Sequence, residues 1–256
     1  MTLRPVHDGN LDSSPSAESE QKAGVMDGQV AIVTGGTGDI GRGVCRALTK
    51  AGATVVALDL DTSQAEGAAR VLECDVTDPA ACTAAVNQIV DEFGGVNTLV
   101  NLAQQFVVHT PLLEVTDNDM RVSFDSGPTA TLRMMQLCYP HIKARGGGSI
   151  VNAASGGATL GMPGEGAYAA AKEAIRGLTK VAALEWGPDN IRVNAICPVA
   201  TTIPDKFPEG VANSIPLRRV GDPETDIGSV IVFLAGPGAY ITGRTLQIDG
   251  GAGSWH

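Results

Sequence analysis

The sequence predicts an α/β fold: a doubly wound parallel sheet flanked by helices, in three layers. Two observations carry that expectation. Short apolar runs of strand length recur along the chain, at residues 30–33, 54–58, 98–100, 149–151, 191–193 and 246–248. Most are apolar almost without interruption, as strands are when both faces of a parallel sheet are covered. Helical stretches separate them, at about 39–51, 79–93, 117–144, 166–186 and 223–235. Strand–helix alternation of this kind winds a parallel sheet.

Residues 1–25 are polar, rich in Ser, Asp, Glu and Pro, and show no periodicity. They carry too little apolar surface to offset the entropy of ordering, so a flexible arm is expected, or a segment that docks on a neighbouring subunit. Residues 26–256 contain no repeat, low-complexity tract or linker and are read as a single domain. Pro79 and Pro223 follow Asp78 and Asp222, the order of an N-cap and the first helical residue. Inside the 117–144 stretch, Asp125-Ser126-Gly127-Pro128 predicts a break, because glycine and proline disfavour a helix interior.

The net charge of −10 argues against nucleic acid or an anionic membrane surface as a partner. No apolar run reaches the roughly 18–20 residues that a membrane helix needs, and the N-terminus has no secretory-type apolar stretch, so a cytoplasmic location is expected. The five cysteines are scattered, without zinc-ligand or redox spacing, and the four histidines do not cluster with them. Reduced buried thiols and no metal site are expected.

The first strand runs directly into Thr34-Gly35-Gly36-Thr37-Gly38-Asp39-Ile40-Gly41 and then a helix. A glycine-rich turn at that position presents backbone N–H groups and the positive helix end to a pyrophosphate, the Rossmann-like arrangement. A tight turn without a ligand is the plainer alternative. Gly35, Thr37, Asp39, Ile40 and Gly41 are thus candidate cofactor residues. The second strand ends at Asp59, about 20 residues beyond the glycines. A carboxylate there accepts from ribose hydroxyls and repels a 2′-phosphate, which favours NAD over NADP. Its plainer role would be to end the strand.

Tyr168 and Lys172 stand four residues apart at the start of a helical stretch, on one face. A nearby ammonium favours phenolate and so lowers a tyrosine pKa, which makes Tyr168 a candidate proton donor and acceptor. The spacing alone is common on solvated helices. Ser155 lies 13 residues before Tyr168, just past a strand, at the sheet edge where open α/β sheets bind ligands.

With these motifs in order, residues 27–252 resemble the short-chain dehydrogenase/reductase family of single-domain proteins. The matching segments are Thr34–Gly41, Asp75-Val76, Asn101, the set Ser155, Tyr168 and Lys172, Asn194–Pro198, Ile241-Thr242-Gly243 and Asp249-Gly250-Gly251. The resemblance implies that Tyr168 exchanges a proton with the substrate oxygen, that Ser155 orients that oxygen, and that Lys172 holds the nicotinamide ribose. It further implies that Asp75 and Val76 flank the adenine, that Asn101 and Ala103 border the cofactor, and that Pro198 and Thr201 (or Thr202) reach the nicotinamide. A homo-oligomer, tetramer or dimer, is implied as well, with the 117–144 and 166–186 helices as interfaces.

Four positions depart from the family pattern. Asp39 replaces the middle glycine of the turn, beside the expected pyrophosphate. Gln104 replaces the glycine of the usual Asn-Asn-Ala-Gly segment. Gly127 or Ser126 stands where the family has the asparagine of its proton relay. Val199 replaces the glycine of the usual Pro-Gly pair. The expected function is an NAD-dependent oxidoreductase moving a hydride between nicotinamide and a secondary alcohol or ketone. The departures motivate a second reading, a weakly active or inactive cofactor-binding regulatory relative. A third is NADPH-dependent reduction of a ketone, an imine or a 3-oxoacyl group. Enoyl reduction fits less well, since that branch of the family spaces the tyrosine and lysine further apart. Residues 199–217 are expected to cover the substrate pocket, with Ile203, Phe207, Val211 and Ile215 offering apolar contacts and Met162 and Phe106 contributing from neighbouring loops.

Overall fold

A computed structural model describes residues 24–64, 66–107, 109–201, 210–236 and 240–253. Of the expected arm only its last two residues fall in that range, and the tail at Trp255 and His256 lies outside it.

In chain order the elements are β1 (Val30–Thr34), α1 (Asp39–Lys50), β2 (Thr54–Asp59), β3 (Arg70–Glu73), α2 (Pro79–Phe93) and β4 (Thr98–Asn101). There follow α3 (Asp117–Phe124), α4 (Ala130–Ala144), β5 (Gly148–Ala153), α5 (Gly156–Leu160), α6 (Gly166–Trp186) and β6 (Ile191–Pro198). The chain ends with α7 (Val211–Ser214), α8 (Ser229–Ala235) and β7 (Thr245–Ile248). The seven strands form one sheet in the order β3-β2-β1-β4-β5-β6-β7, and every pairing is parallel.

Alternation explains why the strand sequences are continuously apolar. In β1, Val30 and Ile32 face one core and Ala31 and Val33 the other; in β2, Val56 and Leu58 oppose Val55 and Ala57 in the same way. The first core is closed by Val86 and Ile89 of α2 with Met134, Cys138 and Ile142 of α4. The second is closed by Val44 and Leu48 of α1 with Ile231 and Leu234 of α8. Two covered faces need two sets of apolar residues on each strand.

The helix starts follow the predicted chemistry. The Asp78 carboxylate accepts from Ala80 N, with Pro79 at the first helical position and Gly94 closing α2 in the left-handed region. The Asp222 carboxylate accepts from the backbone of Glu224 and Thr225. The expected break is also present: between α3 and α4, residues 125–129 form a wider π turn, with Gly127 at φ −95° and ψ −105°. Three elements escaped the sequence reading. β3 is an edge strand of four residues, with Arg70 and Glu73 exposed and Val71 and Leu72 half-buried, so it lacks a continuous apolar run, while α5 and α7 are one turn each. β5 and β6 also run beyond their expected ends, β6 to Pro198.

Candidate active site

The carboxyl ends of the strands meet a topological switch between β1 and β4, the crevice in which open parallel sheets bind ligands. Gly35 leaves β1 at φ 67°, and a Cβ on it would stand 2.9 Å from the backbone nitrogen of Ala103. A Cβ on Gly41 would lie 2.0 Å from the Gly35 carbonyl oxygen. Backbone crosses backbone at both points, so only glycine fits.

Thr37 donates its N–H to Asp59 Oδ2 at 3.0 Å, and Leu60 donates to Asp59 Oδ1 at 2.8 Å. A cavity of about 230 Å³ opens here, bordered by Gly35, Gly38, Asp59, Asp75, Val76 and Ala103 among others. The start of α1, a turn that leaves no room for side chains and a carboxylate at the end of β2 are what a dinucleotide requires, so the residues fit that cofactor.

Asp39 opens α1, with Ile40 half-buried behind it. Its Oδ2 accepts a hydrogen bond from the hydroxyl of Thr201. Thr201 is itself pinned by its N–H to Gly221 O at 3.0 Å, just beyond the end of β6 at Pro198. Thr202, Ile203 and Phe207 lie outside the described residues. Ile215 is packed against the Gly250 turn, where a Cβ would stand 2.8 Å from its Cγ2, so it serves the core rather than a pocket.

A buried chain of bonds sets α6 against the strands. Asn101 Nδ2 donates to Asn152 Oδ1 at 2.9 Å, Asn152 Nδ2 to Thr179 Oγ1 at 3.0 Å, and Thr179 Oγ1 to the Ile175 carbonyl at 2.8 Å. On that fixed helix Tyr168 and Lys172 are both buried. Lys172 Nζ donates to Ala153 O at 2.8 Å and lies 5.6 Å from the centre of the Tyr168 ring. Ser155 caps α5, its Oγ accepting from Ala158 N at 3.3 Å. Phe106 stacks on Tyr168 with ring centres 5.1 Å apart. Three residues from two segments, Ser155 on one and Tyr168 and Lys172 on the other, therefore converge at the end of β5.

The electrostatics differ from the sequence expectation in one respect. Burial pushes the Tyr168 phenol up to about 12; the Ser155 hydroxyl pulls it down and the charge of Glu165 pushes it up further. Burial likewise pushes Lys172 down to about 8. Desolvation is the largest effect on the phenol, so its pKa rises where the sequence reading expected it to fall. A lysine lowered in this way exchanges its proton readily near physiological pH.

Two polar groups at this edge were missed by sequence reasoning. Gln104, noted only as a departure, donates from Nε2 to Ser123 O at 3.0 Å in the last turn of α3 and to Ser126 Oγ at 3.3 Å in the π turn. Glu165 stands at the N-cap of α6, three residues before Tyr168. That spacing on a helical face was its available signal. Among the described residues no helix is long and apolar enough to cross a membrane, and no group of three or more His, Cys, Asp or Glu could hold a metal ion. All five cysteines are buried and free.

A parallel sheet with a glycine turn at its switch point, and a Ser–Tyr–Lys set across the edge, define a nucleotide-linked oxidoreductase of the short-chain type. Comparison with known proteins agrees. A family model described as enoyl-(acyl carrier protein) reductase matches residues 32–253. The 12alpha-hydroxysteroid dehydrogenase of a Clostridium species is 39% identical over 256 residues, covering 90% of this chain and 98% of the relative. The 3alpha-hydroxysteroid dehydrogenase of Mediterraneibacter gnavus is 36% identical, covering 90% of this chain and 99% of its own. A solved structure of a protein assigned as a short-chain alcohol dehydrogenase, from Sinorhizobium meliloti 1021, superposes with a TM-score of 0.82 at 32% identity, covering 89% of this chain and 97% of that one. The chain belongs to the short-chain dehydrogenase/reductase family, whose members use a nicotinamide cofactor. It is an oxidoreductase acting on CH–OH groups.

Proposed function

We propose that the chain is an NAD-dependent dehydrogenase of secondary alcohols on a ring, with Tyr168 as the general acid and base. The observation that carries this reading is the convergence of Ser155, Tyr168 and Lys172 at the end of β5, with Lys172 Nζ fixed 2.8 Å from Ala153 O. Ser155 holds the substrate oxygen beside the phenol. Tyr168 takes the carbinol proton as the alcohol is oxidised and returns it in the reverse direction. Neutral Lys172 takes up the phenol proton during oxidation and returns it in reduction, and it holds the ribose hydroxyls. When bound, the nicotinamide accepts the hydride. Gly35, Thr37, Ile40 and Gly41 line its phosphates, Asp75, Val76, Asn101 and Ala103 its adenine and central parts, and Pro198 and Thr201 its nicotinamide end. Asp59 selects NAD by accepting from the ribose hydroxyls. The two relatives named for hydroxysteroids support a ring alcohol, and the four-residue spacing of Tyr168 and Lys172 supports carbinol chemistry over enoyl reduction.

The reading includes a single catalytic domain from residue 26 behind an arm at 1–25, a homotetramer or dimer, and a cytoplasmic location. NAD⁺ reduction across a panel of ring secondary alcohols tests the activity. Tyr168→Phe is expected to lower turnover by about 10²–10⁴-fold with cofactor binding kept. Retained turnover rejects the assigned role.

A further inference from the structure

The loop after β4 carries two side chains that the chemistry above leaves unused, Gln104 and Phe106. Gln104 Nε2 donates to the carbonyl of Gln105 at 3.1 Å as well as to Ser123 O and Ser126 Oγ. The N–H of Gln105 donates to the same Ser126 Oγ at 3.1 Å. The residue before Phe106 is thereby tied, directly and through Gln104, to the π turn. The far end of the loop is tied as well. Thr110 donates its N–H to Gly164 O at 3.1 Å and bridges to Glu165 at the start of α6.

Between these ties Phe106 lies on the catalytic ring. The two ring planes are within 21° of each other and their centres are 5.1 Å apart, a stacked pair. The partners are unequally exposed: Tyr168 is 8% exposed and Phe106 70%. A phenylalanine so exposed buries little apolar area within the fold, so stability does not explain its place. Its inner face covers Tyr168, and the rest of the ring is left at the surface.

We propose that Phe106, held by Gln104, is a positioning residue: its ring keeps water off the Tyr168 phenol, and its exposed surface seats the apolar body of the substrate. The alcohols favoured are those whose carbinol is borne on a broad apolar frame. This deepens the alcohol-dehydrogenase reading and rests on it. The other groups that face the phenol are Ser155 at the head of α5, Glu165 and Lys172 on α6, and Cys197 on β6. Burial is the largest influence on the phenol, and Phe106 supplies a share of it that can be removed without touching any of those groups. Water admitted there stabilises the phenolate.

Nitration by tetranitromethane tests the cover, because it needs phenolate and access but neither cofactor nor turnover. Tyr240, fully exposed, is the internal reference, and peptide masses report each tyrosine. In Phe106→Ala the nitration rate of Tyr168 relative to Tyr240 is expected to rise about tenfold or more, the effect of a one-unit fall in phenol pKa. Phe106→Leu keeps an apolar cover and should stay near the parent. Gln104→Ala, which releases the Gln105 carbonyl, should rise part of the way. An unchanged ratio in Phe106→Ala overturns the proposal, and so does an equal rise at Tyr139, which is bonded to Asp189 away from the site and would mark general loosening. For seating, kcat/KM with NAD⁺ is compared for a decalin alcohol and cyclohexanol. Phe106→Ala should lower the ratio several-fold, chiefly through KM, and an unchanged ratio rejects the seat. If the parent oxidises neither alcohol the ring-alcohol reading fails, while nitration still decides the cover.

Discussion

The amide oxygen of Gln104 lies 2.5 Å from the point where a Cβ on Gly127 would stand. Two departures from the family pattern are thus one adjustment. Gln104, in place of the loop glycine, fills the space that a side chain at position 127 would need, and its Nε2 bonds Ser126 of the same turn and Ser123 at the end of α3. Gly127→Asn, which places the family's asparagine at one of its two aligned positions, is expected to destabilise the protein by about 1–3 kcal/mol through overpacking. Adding Gln104→Gly should recover part of that loss, with a coupling energy of about 1 kcal/mol or more. Urea midpoints of the four proteins in the cycle measure it; strictly additive losses would mean that the two positions act independently.

Asp39 and Thr201 form a second linked pair, joining the phosphate turn to the segment after β6. Asp39→Asn keeps an oxygen to accept from Thr201 and removes the charge near the expected pyrophosphate. It is expected to tighten NAD binding several-fold, an effect that shrinks as salt is added. The helix start loses a favourable carboxylate, worth about 0.3–1 kcal/mol, so the apo protein should melt slightly lower. Titration calorimetry at two salt concentrations decides it. An unchanged affinity would show that the carboxylate does not oppose the phosphates.

Asp59 already accepts from Thr37 N and Leu60 N, so its charge is held at the end of β2. NAD⁺ is expected to raise the melting temperature more than NADP⁺ at equal concentration, since stabilisation follows ligand concentration over Kd. Asp59→Ala should narrow that difference, mainly by admitting the 2′-phosphate. A larger shift with NADP⁺ in the parent would overturn the cofactor preference.

Lys172 makes folding pH-dependent. Its pKa is about 8 in the folded chain, against an ordinary 10.5. The unfolded chain therefore holds more protons between those values, and the lysine's contribution to stability grows as pH rises through them. It is complete above 10.5 and lost as pH falls through 8. Lys172→Met is expected to stabilise the fold by about 1–3 kcal/mol at pH 7 while abolishing turnover. That gain should shrink as the pH is raised from 8 towards 10. A gain independent of pH would mean that the buried charge is not its source.

Much of this was legible in the chain. Runs such as Val30–Val33 are apolar on every residue because both faces of β1 are covered, and Asp78-Pro79 and Gly127-Pro128 act through backbone chemistry that is local. β3 was not legible, because an edge strand covered on few sides needs no apolar run. The candidate site residues were legible as types in an order, Ser155 before Tyr168 and Lys172, which the resemblance to a family turned into a candidate set.

The sequence by itself determined the doubly wound fold and the glycine turn, and its resemblance to a family named the candidate proton-transfer set. The first two rest on contacts between near neighbours or on periodicity. Tertiary structure alone decided how distant side chains share space and solvent. It joined Asp39 to Thr201 and matched Gln104 to Gly127. It also set burial against charge, lowering Lys172 and raising Tyr168, and left Glu165 Oε2 without a donor. Desolvation and overlap depend on atoms brought together by the whole fold, and no pattern of neighbouring residues encodes them.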